Sequence, residues 1–314
     1  MRKKILLQQG AFAPKIEARL AADYDVRFLP QPGPERDSFL AENAAGIEAI
    51  ATSARFGVDA RTMQALPDLK VISSFGVGLD TLDLKEAKAR GIQVGYTPDV
   101  LNDCVADTAF ALLMDVARRI TEADRFVRQG QWKQGQFTPA TRVSGKRLGI
   151  LGLGRIGSAI AKRGSGFDME VRYHNRKPVE GSPYTYADSL KALAEWADFL
   201  VIASAGGAET RGLVSKEILD ALGAEGYLVN ISRGTVVDEA ALIDALKNKR
   251  IAGAGLDVFE REPHVPEELL ALDNVVLLPH LASNTHETRG AMAQRVEDNL
   301  AAFFAGKPLV SAAA

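Results

Sequence analysis

One stretch constrains this chain more than any other: Gly152-Leu153-Gly154-Arg155-Ile156-Gly157. A strand-like run, Arg147-Leu148-Gly149-Ile150-Leu151, leads into it, and a helix-like run from Ser158 to Phe167 follows. A strand that turns directly into a helix needs residues without a Cβ, so that backbone can approach a pyrophosphate closely. The helix start then offers free N–H groups and the positive end of its dipole to that anion. The glycine spacing alone is a weak signal; set between a strand and a helix it predicts a dinucleotide cradle rather than a ligand-free turn. Gly152, Gly154, Arg155, Ile156 and Gly157 are the expected contacts.

Such a cradle predicts an acidic residue about 20 positions on, to hold the ribose 2′-hydroxyl of NAD. The next strand-like run, Met169-Glu170-Val171-Arg172-Tyr173, instead leads to His174-Asn175-Arg176-Lys177. A carboxylate there would repel a 2′-phosphate, whereas Arg and Lys attract one. The turn therefore points to NADP(H) as the preferred cofactor, with NAD(H) possible; the alternative is a solvated basic turn. His174 either packs on the adenine or caps its strand.

With 314 residues the chain suits two domains of ordinary size. Its formal net charge of -2 lacks the basic excess that general nucleic-acid binding needs. Cys104 is the single cysteine, which excludes an internal disulfide framework and suits a reducing, cytoplasmic setting. The basic start Met1-Arg2-Lys3-Lys4 is followed by too short an apolar run for a signal-peptide core, and no run is long enough to span a membrane. The end, Ala312-Ala313-Ala314, reads as a short alanine tail.

Short apolar runs alternate with amphipathic ones throughout, the pattern of parallel α/β sheets. Lys4–Leu7, Asp25–Phe28, Ala49–Thr52, Lys70–Ser73 and Ile92–Val94 read as strands of a first sheet, with helices such as Pro14–Ala22 and Leu84–Arg90 between them. Beyond Pro98, a long helix is expected from Asn102 to Ile120, because Val105, Ala109, Leu112, Leu113 and Val116 recur at helical spacing. From Lys146 the alternation restarts, with strands ending near Gly152, His174, Ala203, Ile231 and Asp257 and a last one at Val275–Leu278. A final helix, about Thr285 to Phe304, is expected to return to the first domain. The reading is an α/β protein of two doubly wound parallel-sheet domains, Rossmann- or flavodoxin-like, with the substrate cleft between them. Residues 1–98 plus 285–314 would form a discontinuous substrate-binding domain, and 99–284 the dinucleotide-binding domain.

Ligands of such sheets bind beyond the carboxyl ends of the strands. Three of those ends carry unusual polar residues: Asn230-Ile231-Ser232-Arg233-Gly234, Gly255 to Pro263, and Leu278-Pro279-His280-Leu281-Ala282-Ser283. Arg233 could bind an α-keto acid through its carboxylate and polarise the carbonyl. His280 could donate a proton to that carbonyl as hydride arrives from a nicotinamide, and Glu262 could hold the imidazole and favour its protonated form. Singly, each has a structural alternative: an ion-pair partner, a surface carboxylate, a strand cap. Behind a dinucleotide cradle, they read as a catalytic set of Arg233, Glu262 and His280. His280 and His286 match no metal-ligand spacing, and no metal is expected.

Over nearly its whole length the chain resembles the D-isomer-specific 2-hydroxyacid dehydrogenases. The matching segments are Gly76-Val77-Gly78-Leu79-Asp80, Tyr96 to Leu101, Val105-Ala106-Asp107-Thr108-Ala109, Gly152 to Gly157, Arg233-Gly234, Gly255 to Phe259, Glu262-Pro263 and Pro279-His280. The branch of glyoxylate/hydroxypyruvate and hydroxyphenylpyruvate reductases is the nearest in look, and Asn175-Arg176-Lys177 echoes its basic turn. The resemblance implies the same Arg–Glu–His set and a substrate-carboxylate loop at Val77-Gly78. It further implies that Thr108 and Ile231-Ser232-Arg233 line the cofactor, with Asp257 and Ser283 near the nicotinamide. It also implies a homodimer, with Trp132 in a segment that often lies at the subunit interface. Two departures stand out. The loop Ala203-Ser204-Ala205-Gly206-Gly207 lacks the family's proline, though backbone contacts of Ser204 and Ala205 with the cofactor could survive, and Ala282 replaces a usual glycine.

The expected function is NADPH-dependent reduction of small 2-keto acids, such as glyoxylate and hydroxypyruvate, to D-2-hydroxy acids. Alternatives are a reductase of bulkier keto acids such as hydroxyphenylpyruvate, or a dinucleotide-sensing module without catalysis.

Overall fold

The computed structural model describes residues 3–313. Met1, Arg2 and Ala314, which belong to the basic start and the alanine tail, lie outside the described residues. The chain divides into two compact units: residues up to Leu101 together with Thr285 onward, and Asn102–Asn284.

The first unit holds β1 (Ile5–Gln8), β2 (Asp25–Phe28), β3 (Ala49–Ser53), β4 (Val71–Phe75) and β5 (Gln93–Gly95). They pair in parallel in the order β2-β1-β3-β4-β5. Leu7, Ile50, Ile72 and Val94 share one register row, and all four are buried in a core with Ile47, Met63 and Leu66. Burying each such side chain contributes roughly 1.5–3 kcal/mol, so a slip of the register would expose the whole row. The helix His286–Phe304 belongs to this unit, where the Ser73 hydroxyl donates to the Val296 carbonyl (3.1 Å) and Val296 and Leu300 are fully buried. Thr285 caps it, accepting from the Thr288 N–H.

The second unit carries seven parallel strands in the order β12-β11-β10-β9-β6-β7-β8. These are β6 (Arg147–Leu151), β7 (Glu170–His174), β8 (Thr185–Tyr186), β9 (Phe199–Ile202), β10 (Tyr227–Asn230), β11 (Gly253–Leu256) and β12 (Val275–Leu277). The order runs outward in both directions from the β6–β9 pair, which makes that pair the switch point of a doubly wound sheet. A single register row carries the last residues of six strands: His174, Leu151, Ile202, Asn230, Leu256 and Leu277. Everything the sequence places just past those residues therefore emerges along one edge.

Two local outcomes differ from the sequence expectation. The helix expected to run from Asn102 to Ile120 stops at Arg118, because Arg119 takes a left-handed conformation (φ 56°). A second helix, Ile120–Arg128, starts there; the Asp115 carboxylate accepts from the Thr121 N–H (2.8 Å), and Arg119 is tied up by Glu122. The two-residue β8 was not expected either; it is too short for an alternating pattern and exists through its pairing with β7. Elsewhere, close approach explains sequence choices. A Cβ on Gly255 would lie 2.9 Å from the Leu112 Cβ, so glycine in β11 lets the helix Asn102–Arg118 lie directly on the sheet.

Candidate active site

The glycine stretch forms the turn between β6 and the helix Arg155–Ser165. Gly152 has φ 99°, and a Cβ there would lie 2.6 Å from the Ser204 nitrogen. A Cβ on Gly157 would meet the Gly152 carbonyl oxygen at 2.1 Å. Gly154, the N-cap, has open space where a Cβ would stand. Two glycines are thus required by packing, and the third leaves the helix N-terminus accessible. Gly154 and Arg155 are exposed, Ile156 is half-buried and Gly157 is buried. This fits a pyrophosphate: an uncovered helix start with no acidic residue in its first turn.

The end of β7 is bound to this turn. The Leu153 N–H donates to Asn175 Oδ1 (2.7 Å), and the Gly152 N–H to the His174 carbonyl (3.0 Å). His174 Nδ1 lies 2.8 Å from the Ala187 carbonyl, and its ring stacks on Tyr186. These contacts hold the ring at the end of β7. Arg176 and Lys177 are exposed, and Arg176 pairs with Glu209 across 2.6 Å. Ser204 and Ala205 follow β9; the Ser204 hydroxyl is buried without a hydrogen-bond partner, and the Ala205 carbonyl accepts from the Thr210 hydroxyl (2.9 Å).

Further along the edge, Arg233 emerges three residues past β10, Asp257 one past β11, Glu262 six past β11 and His280 three past β12. Asn230 builds the Arg233 turn. Fully buried, it donates from Nδ2 to the Arg233 carbonyl (3.0 Å), and its Oδ1 accepts from the Ser232 N–H (3.1 Å). The guanidinium is held in part by the Ser232 carbonyl, 2.8 Å from Nη1. Gly234 couples this turn to the next: a Cβ would lie 1.9 Å from the Phe259 carbonyl carbon. Ile231 and Ser232 are buried here.

His280 Nδ1 and Glu262 Oε2 are 2.7 Å apart, which leaves Nε2 as the ring atom for chemistry. Glu262 Oε1 accepts from the Phe259 N–H (3.2 Å). Burial pushes the Glu262 carboxyl up; the hydrogen bond and charge of His280, the Phe259 N–H and the charge of Arg233 outweigh it and hold it below the ordinary value. Glu262 is thus within electrostatic reach of both His280 and Arg233.

The His280 backbone is itself left-handed (φ 51°), and the loop that follows is pinned from two sides. Asp257, fully buried, accepts from the N–H groups of Leu281 (2.7 Å) and Ala282 (2.9 Å). Burial pushes its carboxyl up against the pull of those two donors. The Ala282 carbonyl accepts from the Cys104 thiol (3.0 Å) and the Thr108 hydroxyl (3.4 Å) on the helix Asn102–Arg118. Ser283 is half-buried in the same loop. Asp257 and Thr108, expected near a cofactor, thus share the task of fixing the His280 loop. Among the described residues, no cluster suited to a metal ion occurs. In the first unit, Val77 and Gly78 are half-buried just past the end of β4, behind a Gly76 N–H that donates to the Thr97 hydroxyl (3.0 Å).

Sequence reasoning gave no role to Asn230, Cys104 or Glu209. Asn230 carried a visible signal, an amide at the end of an apolar strand, one residue ahead of Ser232-Arg233-Gly234. The contacts of Cys104 and Glu209 are made across 178 and 33 residues, and no local pattern announces them.

Known proteins resemble this chain over most of its length. Residues 110–282 match the NAD-binding domain of the D-isomer-specific 2-hydroxyacid dehydrogenases. A hydroxyphenylpyruvate reductase of Plectranthus scutellarioides is 50% identical over 285 residues, covering 91% of this chain and 90% of its own. A glyoxylate/hydroxypyruvate reductase of Arabidopsis thaliana is 49% identical, covering 88% and 89%. The crystal structure of an NADPH-dependent glyoxylate/hydroxypyruvate reductase from Sinorhizobium meliloti, in complex with NADP and malonate, superposes with a TM-score of 0.93 at 40% identity, covering 99% and 97%. On this identity, coverage and shared architecture, the chain belongs to the D-isomer-specific 2-hydroxyacid dehydrogenase family and is a nicotinamide-dinucleotide-dependent oxidoreductase.

Proposed function

We propose that this enzyme reduces small 2-keto acids, glyoxylate and hydroxypyruvate foremost, to D-2-hydroxy acids with NADPH. The observation that carries the reading is the 2.7 Å His280–Glu262 pair, standing on the same sheet edge as Arg233 and the glycine turn. When bound, the dinucleotide supplies hydride to the carbonyl carbon. His280 gives its Nε2 proton to the carbonyl oxygen, which becomes the hydroxyl. Glu262 holds Nδ1, fixing the ring and stabilising the cation that precedes transfer. Arg233 binds the substrate carboxylate and draws charge toward the carbonyl oxygen. Val77 and Gly78, in the first unit, offer backbone N–H groups suited to a substrate carboxylate.

For the dinucleotide, Gly152, Gly154, Arg155, Ile156 and Gly157 take the pyrophosphate, and Asn175, Arg176 and Lys177 the 2′-phosphate. His174, Thr108, Ser204, Ala205, Ile231, Ser232, Asp257 and Ser283 complete its surroundings. NADPH preference is supported by the exposed Arg176 and Lys177 after β7, where Asn175 stands in place of an acidic residue at the strand end. The Sinorhizobium meliloti relative, whose NADP complex is known, is consistent with it.

The enzyme acts as a homodimer. Ile120, Val127 and Trp132 are exposed on and beside a helix that buries no residue of its own, an apolar strip suited to a second copy. A reducing, cytoplasmic compartment suits its single thiol, Cys104.

A second reading, reduction of bulkier acids, is favoured by the 50% identity to the hydroxyphenylpyruvate reductase. Oxidation of NADPH and NADH with glyoxylate, hydroxypyruvate, pyruvate and hydroxyphenylpyruvate separates the two. Higher kcat/KM for the small acids with NADPH is expected. Preference for the aromatic acid would move the enzyme to the second reading, and preference for NADH would overturn the cofactor assignment.

A further inference from the structure

Three loops meet at the rim of the dinucleotide site. The glycine turn is bonded to the β7 turn through Leu153 and Asn175, and it packs on the β9 loop where Gly152 approaches Ser204. The Arg176–Glu209 ion pair joins the remaining two, the β7 turn and the β9 loop. Glu209 lies in the short turn Ala208–Thr210, where the Thr210 hydroxyl donates to Ala205 and the Thr210 N–H to Gly207. Its backbone is therefore fixed. The two side chains are 88% and 78% exposed, so the pair itself adds little to stability and exchanges readily for another partner.

Arg176 is also the residue offered to a 2′-phosphate. We propose that Glu209 is a specificity-determining residue: it competes for the Arg176 guanidinium and so limits how far the enzyme prefers NADPH over NADH. The inference rests on the NADPH reading above. A 2′-phosphate brings close to two negative charges to the guanidinium. It must either displace the Glu209 carboxylate or share one cation with it, and both lower its affinity. NADH brings no such group and leaves the ion pair intact. Glu209 therefore burdens one cofactor and spares the other, which neither Arg176 nor Lys177 could do alone.

Calorimetric titration of NADPH and NADH into the wild type, Glu209→Gln, Arg176→Ala and the double variant tests this through binding alone. At low ionic strength, Glu209→Gln is expected to raise the NADPH-to-NADH affinity ratio about fivefold, the size of one unscreened charge pair a few ångströms apart in water. The gain should shrink at high salt and vanish in the Arg176→Ala background. If Arg176→Ala lowers the ratio while Glu209→Gln leaves it unchanged or lowers it, the competition is wrong and the NADPH reading stands. If Arg176→Ala does not change the ratio, the reading of Arg176 as a 2′-phosphate ligand fails and takes this inference with it.

Discussion

Beyond β10, β11 and β12, the working edge of the seven-stranded sheet is made of polar side chains bonded to backbone. Asn230 closes the Arg233 turn, Asp257 holds two N–H groups of the His280 loop, and Glu262 holds both His280 and Phe259. Beyond β6, β7 and β9, the same edge is made largely by omission. Side chains are missing at Gly152, Gly154 and Gly157, and the charges there, Arg155, Arg176, Lys177 and Glu209, lie out in solvent. Positioning a proton donor to a fraction of an ångström requires groups with no freedom left, and buried hydrogen bonds remove it. Receiving a long, charged cofactor requires room and accessible N–H groups, and these come from absent Cβ atoms.

The largest effect should come from the bonded side. His280→Gln keeps the shape and loses the transferable proton, so kcat should fall about 10²- to 10⁴-fold with NADPH binding unchanged. Steady-state kinetics beside calorimetry reads both, and a loss under tenfold would mean that another group donates the proton. A smaller effect should separate two glycines. Gly234→Ala drives a methyl into the Phe259 backbone and should cost about 1–3 kcal/mol of stability. Gly154→Ala meets open space and should stay within about 0.5 kcal/mol of the wild type while weakening dinucleotide binding. Denaturant melts that rank the two the other way would break the contrast between the sides.

The smallest effect is in pH dependence. Glu262 has its carboxyl held below the ordinary value of 4.5, so it contributes stability above that value and loses it as pH falls through the lower, folded one. Asp257, raised by burial, acts in the opposite sense: its contribution is present below the ordinary value of 3.8 and lost as pH rises through the raised one. Glu262→Gln should therefore flatten the acid limb of stability below about pH 4.5, measured by urea unfolding across that range. An unchanged acid limb would mean that the His280 pair has no energetic weight in the folded state.

The two sides also differed in how well the sequence announced them. The cradle was legible because its demand is local: glycines at fixed offsets between a strand and a helix. The strands were legible for a similar reason, since alternation and length are local properties, and most ends fell within a residue or two of expectation. Arg233, Glu262 and His280 could be singled out because each follows the end of a strand, where a polar residue is conspicuous. What binds them could not. Cys104 and Thr108 reach Ala282 only because the helix Asn102–Arg118 lies on β11, and that depends on the missing side chain of Gly255. The break at Arg119 has no glycine or proline to mark it; it follows from Asp115 capping the next helix and from the Arg119–Glu122 pair.

The contact between Gly234 and Phe259 carries a consequence for anyone who would redirect this enzyme to new substrates. With no space for even a methyl between Gly234 and the Phe259 backbone, position 234 has to stay glycine whatever else is varied in the loop bearing Arg233 or the loop leading to Glu262. A mutant library that randomises position 234 would destabilise most of its members. One that varies both loops, leaving Gly234 in place, would search sequences that still fold.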